Sequence, residues 1–280
     1  ATLARGTTRI FNAAREPEVV DLCNFLNTLG ARIEGAGTDT LTIEGVSRLR
    51  PATRAYRIMP DRIETGTYLC AAAIAGGEIT VTETDPALLT STLAKLEEAG
   101  CEVSTTVDSI TVKREAPLKP FHLRTEPHPG FPTDMQAQLM AVAAFAEGES
   151  VVEETIFENR FMHVAELRRM GADIEEQGSI AHVRGGKPLE GAAVMASDLR
   201  ASAALVLAGL GAMGRTQVLR IYHLDRGYED MVGKLRGVGA CIGRVGDDVH
   251  DPALLDAAMG VSPELTAGGV HASQAAPAHA

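Results

Sequence analysis

DRIETGTYLCAAAIAGGEITVTETDPALLTSTLAKLEEAGC, residues 61–101, is the stretch that decides the fold. It opens with an Ala-rich helix expected over Ile63–Ala75 and turns at Gly77. An alternating strand, Glu78–Thr84, follows. Asp85-Pro86 then reads as an N-cap with proline in the first helical position, opening an amphipathic helix over Ala87–Ala99 that closes at Gly100-Cys101. The same unit recurs along the chain. Its opening glycines are Gly6, Gly77, Gly148 and Gly214, and its closing pairs are Gly30-Ala31, Gly100-Cys101, Gly171-Ala172 and Gly239-Ala240. The opening-to-closing distances are 24, 23, 23 and 25 residues, a period regular enough to define repeats. Ala-rich helices precede copies three and four as well, over Met135–Ala146 and Leu199–Ala212. Before copy one only Ala1-Thr2-Leu3-Ala4 stands, and the first residue is not Met, so the chain is expected to be the back portion of a longer protein.

The copies occupy residues 1–56, 57–118, 119–190 and 191–247. In copy one a helix is expected over Glu18–Leu29, with Val19, Val20, Leu22, Cys23, Phe25, Leu26 and Leu29 as its apolar face. Its strands are expected at Thr8–Asn12, Ala31–Glu34 and Leu41–Glu44, and a further strand of copy two at Ser109–Lys113. The helix around Ala201–Leu210 is apolar on nearly every side, which suits burial all round. The alternating strands suit half-exposed sheets covering such helices. The expected class is therefore α/β, an inside-out barrel of repeated units with helices inside and sheets outside. The end of the chain, rich in Ala, His and Pro, reads as a disordered tail with a short helix near Leu254–Met259.

Composition narrows the function. Among 280 residues 45% are hydrophobic, and the formal net charge is −11. An acidic chain argues against nucleic-acid binding through a broad basic surface, while leaving room for an anion held by a few arginines. Cys23, Cys70, Cys101 and Cys241 are scattered, as expected for reduced thiols in a cytoplasmic protein. No signal peptide is visible, and the longest apolar run, Ala201–Met213, is too short to span a bilayer. The eight histidines show no metal-ligand spacing, and no metal or cofactor is expected.

Three helix starts could carry chemistry. Asp61 reads as an N-cap with Glu64 at N3. Thr133-Asp134-Met135-Gln136 reads as a T-x-x-Q capping box, and Ser197-Asp198 offers either residue as cap. If the repeats are symmetric these N-termini converge on an electropositive cleft suited to phosphate or carboxylate. The rigid loop His128–Thr133, with two prolines and a glycine, presents Asp134. Arg15, Arg160 and Arg226 precede the second helix of three copies, where they could face one cleft and bind a multiply charged anion. Surface ion pairs with the adjacent Glu16, Glu158 and Asp225 are the plainer account. Cys241 falls in an expected post-helix strand and is not read as a nucleophile.

The stretches NAAREPE (12–18), PDRIETG (60–66), PHPGFPTDMQAQ (127–138), FENRFMH (157–163), DLRAS (198–202) and RIYHLDRGYE (220–229) resemble, in order, the UDP-N-acetylglucosamine 1-carboxyvinyltransferase family. These are enolpyruvyl transferases that open peptidoglycan precursor synthesis. The resemblance covers residues 1 to about 245. It implies two inside-out α/β domains of three repeats each, with residues 1–56 a remnant of the first, 57–247 the second and 248–280 a tail. It implies UDP-N-acetylglucosamine and phosphoenolpyruvate as substrates, and a monomer at full length. The sugar 3′-hydroxyl would add to C2 of the enolpyruvyl group, C3 would be protonated, and phosphate would leave.

By the same resemblance Asp134 is the sugar-hydroxyl-binding aspartate and candidate base, and the backbone of Ile156 meets the nucleotide sugar. Arg226 stands on the phosphoenolpyruvate side, Asp198 and Arg200 are further cleft residues, and Arg160 is a weaker match. The family's Lys-Asn pair, its cysteine loop and its other phosphate-binding arginines have no counterpart here, so this chain alone is expected not to turn over. Three alternatives stay open: the related 3-phosphoshikimate 1-carboxyvinyltransferase, a non-catalytic sugar-nucleotide-binding homologue, and an RNA-phosphate cyclase-like protein.

Overall fold

The computed structural model describes residues 1–245. The expected tail and the helix near Leu254–Met259 lie outside them. The chain forms two compact units, Ala1–Tyr228 and Glu229 onward.

The repeats are real in three dimensions. Copy one contains β1 (Thr7–Phe11), α1 (Pro17–Thr28), β2 (Arg32–Glu34) and β3 (Thr40–Glu44). Copy two contains α2 (Arg62–Ala75), β4 (Gly77–Thr82), α3 (Thr90–Glu98), β5 (Glu102–Thr105) and β6 (Ser109–Arg114). Copy three contains β7 (His122–Arg124), α4 (Gln136–Ala144), β8 (Glu149–Glu153), α5 (Val164–Arg169), β9 (Asp173–Gln177) and β10 (Ile180–Arg184). Copy four supplies β11 (Ala193–Met195), α6 (Leu199–Gly211) and β12 (Gln217–Leu219). The second unit holds α7 (Met231–Gly237).

Three sheets share one antiparallel topology, with the last strand of the copy in the centre: β1-β3-β2, β4-β6-β5 and β8-β10-β9. In copy three β7 adds a parallel edge to β8. The central strands bury alternate residues, Leu41 and Ile43, Ile110 and Val112, Ala181 and Val183. That is the two-residue period of a sheet with one wet face.

The closing Gly pairs have a common geometry. In each copy the glycine amide donates to the carbonyl three residues back, and the next residue's amide donates to the carbonyl five back: Leu26, Leu96, Leu167 and Leu235. This is a Schellman motif, and its left-handed residue needs glycine. Gly30, Gly100, Gly171 and Gly239 have φ of 88, 92, 92 and 95°.

The Ala-rich helices α2, α4 and α6 pack on one another, and each also packs on strands of its own copy. Every residue of α4 is buried. Small side chains permit the close approach. A Cβ on Gly211 would stand 2.7 Å from Ile74 and 2.8 Å from Phe145. Leu69, Leu139 and Leu205 are fully buried there, each contributing about 1.5–3 kcal/mol by removal from water. The inside-out α/β arrangement is thus present, with the described strands falling in four separate sheets.

Two details differ from expectation. The seven apolar positions of α1 do not form one buried face. Cys23, with Val19 and Leu26, packs on Ile33, Leu41 and Ile43, while Leu22 remains 54% exposed on another side. Residues 241–245 form no strand, so Cys241 is exposed on an irregular segment. No third strand of that copy stands among the described residues to pair with it, and an unpaired ladder leaves its amides and carbonyls unsatisfied. No helix of the described residues is long and apolar enough to cross a membrane.

Candidate active site

Helix starts converge as the repeat symmetry requires. A cleft of about 600 Å³ is lined by Asp61, Arg62 and Ile63 from the start of α2, by Asp134 just before α4, and by Arg200 in the first turn of α6. Its opposite wall includes Glu16, Glu18, Asp21, Leu22 and Phe25 of copy one. The cleft is not the free electropositive site expected. Arg62 donates from Nε to Glu18 Oε1 at 2.7 Å. Arg200 donates from Nη2 to Asp134 Oδ2 at 2.8 Å. Both lining guanidiniums are therefore already neutralised, because each sits beside a carboxylate in a half-buried place where ion pairing outweighs waiting for a ligand.

The two flanking caps form as expected. Asp61 accepts from the amides of Ile63 and Glu64, and Asp198 from those of Arg200 and Ala201, each worth about 1 kcal/mol. The middle one does not. The residue before the 3-10 turn Thr133–Met135 is Pro132, with no side-chain cap. Thr133 instead donates to Glu154 Oε2 at 2.9 Å, and Gln136 is buried with both amide atoms unpartnered. The capping box fails because Thr133 is itself the first residue of the turn, and its backbone carbonyl already accepts the Gln136 amide.

Asp134 is the centre of the site. Arg160 Nη2 donates to its Oδ1 at 2.8 Å while Arg200 holds Oδ2. Burial pushes the carboxyl pKa up, but hydrogen bonds and charge from Arg200 and then Arg160 outweigh this and hold it below the ordinary value. The Tyr228 hydroxyl also favours the charged form of Arg200. That hydroxyl lies 2.9 Å from Thr67 Oγ1, which also accepts from Gln138 Nε2 at 3.1 Å. A buried polar cluster thus joins α2, α4 and Tyr228. Burial drives the Tyr228 phenol pKa upward, so it stays neutral as a donor.

Arg160 lies on the loop 154–163 between β8 and α5, beneath which the Phe157 ring stacks 4.8 Å from its guanidinium. His163 ends that loop, wholly buried, with Nε2 3.2 Å from Met140 Sδ. Burial pulls its imidazole pKa down to about 4. Ile156 is half-exposed, and its amide is taken by Glu154 Oε1 at 2.9 Å. Its carbonyl accepts no hydrogen bond from the described residues.

Of the three arginines expected at one cleft, only Arg160 reaches Asp134. Arg15 and Arg226 are exposed and make no ion pair among the described residues. The structure thus joins Asp134, Arg160, Arg200 and Asp198 directly and Ile156 through Glu154, and leaves Arg226 apart. Glu154, Tyr228 and the Arg62–Glu18 pair escaped the sequence reading. Only Glu154 had a signal there: it occupies the sixth position after an opening glycine, where the other copies place Asn12, Glu83 and Arg220.

The repeated sheets around three buried helices, with a carboxylate and two arginines at the helix starts, are the architecture of an enolpyruvyl transferase. The chain belongs to the family described as EPSP synthase (3-phosphoshikimate 1-carboxyvinyltransferase), matched over residues 1–235. It is 60% identical over 246 residues to the UDP-N-acetylglucosamine 1-carboxyvinyltransferase of Aeromonas salmonicida, covering 88% of this chain and 58% of that protein. The protein of that name from Magnetococcus marinus is 57% identical over 247 residues, with the same coverage. The chain therefore spans less than two thirds of the curated relatives it matches.

Among solved structures, the enolpyruvyl transferase NikO from Streptomyces tendae superposes with a TM-score of 0.76 at 32% identity, over 85% of this chain and 57% of that one. EPSP synthase from Acinetobacter baumannii superposes with a TM-score of 0.64 at 18% identity, again over 85% and 57%, a likeness of fold alone.

Proposed function

We propose that this chain supplies the sugar-nucleotide side of an enzyme that transfers the enolpyruvyl group of phosphoenolpyruvate to the 3′-hydroxyl of UDP-N-acetylglucosamine, releasing phosphate. The observation that carries this reading is the Asp134 carboxylate, held at the cleft between Arg160 and Arg200. A hydroxyl delivered there meets an ionised acceptor in hydrogen-bond reach, the first requirement of a general base. Two arginines make Asp134 a weak base while the cleft is empty. Diphosphate oxygens of the ligand compete for guanidinium. Loss of one partner returns the carboxyl toward its ordinary value and strengthens it as a base.

Ile156 presents its carbonyl to an N–H or O–H of the nucleotide sugar. Asp198 holds the first turn of α6 and so the stem of Arg200. Arg226, exposed and unpaired among the described residues, is left for the phosphoenolpyruvate side. No cysteine lines the cleft, and burial raises the thiol pKa of Cys70 and, to about 11, of Cys101. We therefore expect this chain alone to bind the nucleotide sugar without releasing phosphate. Residues 45–61 carry no helix or strand, which supports a domain division near residue 56. Three buried free thiols support a cytoplasmic setting.

Calorimetric titration tests the reading. UDP-N-acetylglucosamine should bind saturably to the chain, and Asp134→Ala should weaken it about tenfold or more, the loss of one hydrogen bond to a charged group. No uptake by the unaltered chain overturns the proposal. Tighter binding of shikimate 3-phosphate would favour the 3-phosphoshikimate enzyme instead.

A further inference from the structure

Glu154 is 3% exposed, yet no guanidinium or ammonium among the described residues touches its carboxylate. A carboxylate removed from water must be satisfied in some other way. Here four neutral donors do it, from three separate places in the chain. Thr125 Oγ1 donates to Oε1 at 2.9 Å from the strand edge beyond β7. Thr133 Oγ1 donates to Oε2 at 2.9 Å from the turn carrying Asp134. The amides of Ile156 and Phe157 donate to Oε1 at 2.9 and 3.1 Å from the loop carrying Arg160.

Comparison among the copies makes the residue stand out. The sixth residue after the opening glycine is left-handed in three copies: Asn12, Glu83 and Arg220 have φ of 53, 56 and 59°. In copy three that position is Glu154, which is not left-handed. The left-handed turn moves to Asn159, φ 56°. The exit from the strand is therefore rebuilt around one side chain.

We propose that Glu154 is a positioning residue of the site. Its two carboxylate oxygens lock the Asp134 turn to the 155–157 loop. By consuming the amides of Ile156 and Phe157 it leaves the Ile156 carbonyl as the group a ligand meets, so the site takes a donor, N–H or O–H, at that point. This rests on the nucleotide-sugar reading above for its ligand, but not for its geometry. Length matters more than charge in such a clamp. A Gln in place of Glu154 keeps one oxygen for Thr125 and the amides, and its NH₂ donates to the Thr133 hydroxyl, which can also accept. An Asp cannot reach both sides.

The test uses the full chain with Glu154→Gln, Glu154→Asp, Glu154→Ala and, should the last not fold, Thr133→Val. Two readouts are taken: ¹H–¹⁵N resonances of Ile156 and Phe157 without ligand, and calorimetric affinity for UDP-N-acetylglucosamine. We expect both amide protons to move upfield and exchange faster in the Asp and Ala variants, with affinity falling about tenfold. Gln should hold both amides near their original shifts and affinity within about threefold. Thr133→Val should leave the amides in place and still weaken binding, since it frees only the Asp134 turn.

Unmoved amides in Ala and Asp, or wild-type affinity in both, would sink the proposal. Equal losses in Gln and Ala would also overturn it, by showing charge rather than reach at work. If the unaltered chain takes up no ligand, the functional reading falls, and the ligand-free amide shifts still decide the clamp.

Discussion

Copies two and three have the same sheet topology, and each measures 23 residues from opening to closing glycine, but they use those residues differently. In copy two, seven residues, 83–89, separate β4 from a nine-residue α3, and three of the seven form a 3-10 turn. In copy three, ten residues, 154–163, separate β8 from an α5 of only six. The loop holding Ile156 and Arg160 is made at the helix's expense, with nothing inserted. A helix loses little by giving up turns that face solvent, since most helical stability comes from its packed face. What it keeps is the core anchor: Leu96 and Leu167 both accept the final Schellman bond, and both are fully buried. The difference teaches that one repeat is unwound around a buried carboxylate beside the cleft, while the matching loop of copy two, 83–89, lines no part of it.

The comparison is broken most severely at the anchors. Leu96→Ala and Leu167→Ala should each cost about 2–5 kcal/mol of unfolding free energy in urea melts. A much smaller loss at Leu167 would mean that the shortened helix no longer carries its share of core. Between about pH 4 and 6.5 a pH-dependent effect of about 3 kcal/mol should come from His163 of copy three. His163 is neutral in the fold down to about pH 4, whereas the unfolded imidazole takes a proton near 6.5. The His163 contribution should thus be level above about 6.5, fall as pH drops toward about 4, and level off below. His163→Gln should flatten that decline, and an unchanged profile would show that the ring is protonated in place.

Gly100→Ala and Gly171→Ala test the closing turns. Each should cost about 1 kcal/mol from left-handed strain, and the two should match, since no neighbour lies closer than 3.7 Å to either added Cβ. The smallest effect is expected at Glu83, the copy-two equivalent of Glu154. It is exposed and left-handed, and among the described residues its side chain meets Arg57 in a 3.5 Å ion pair. Glu83→Gly should stabilise the fold by about 0.5 kcal/mol of relieved strain, read as a small rise in melting temperature. A marked loss instead would mean that Glu83, too, organises its loop.

Much of the fold was legible because its determinants are local. Helices expected over Ile63–Ala75 and Leu199–Ala212 form over Arg62–Ala75 and Leu199–Gly211. The caps of Asp61 and Asp198 act within three residues of their own positions. The site was legible only in outline. Asp134 could be singled out by its rigid loop, but its partners lie 26 and 66 residues away. The partner of the Thr133 hydroxyl was hidden for the same reason, because Glu154 is 21 residues distant. The three arginines at matching places in the repeats did not share a cleft, since equal position in a repeat fixes a backbone location and leaves the side chain's direction to its neighbours.

The sequence by itself determined the repeat, its glycine punctuation and the all-round burial of three helices, because left-handed turns and apolar periodicity act through residues adjacent in the chain. Only the tertiary structure decided which carboxylate meets which arginine, and that the Thr133 hydroxyl would donate to Glu154. Those are competitions among groups far apart in sequence, settled by distance and desolvation once α2, α4 and α6 have brought their starts to one cleft.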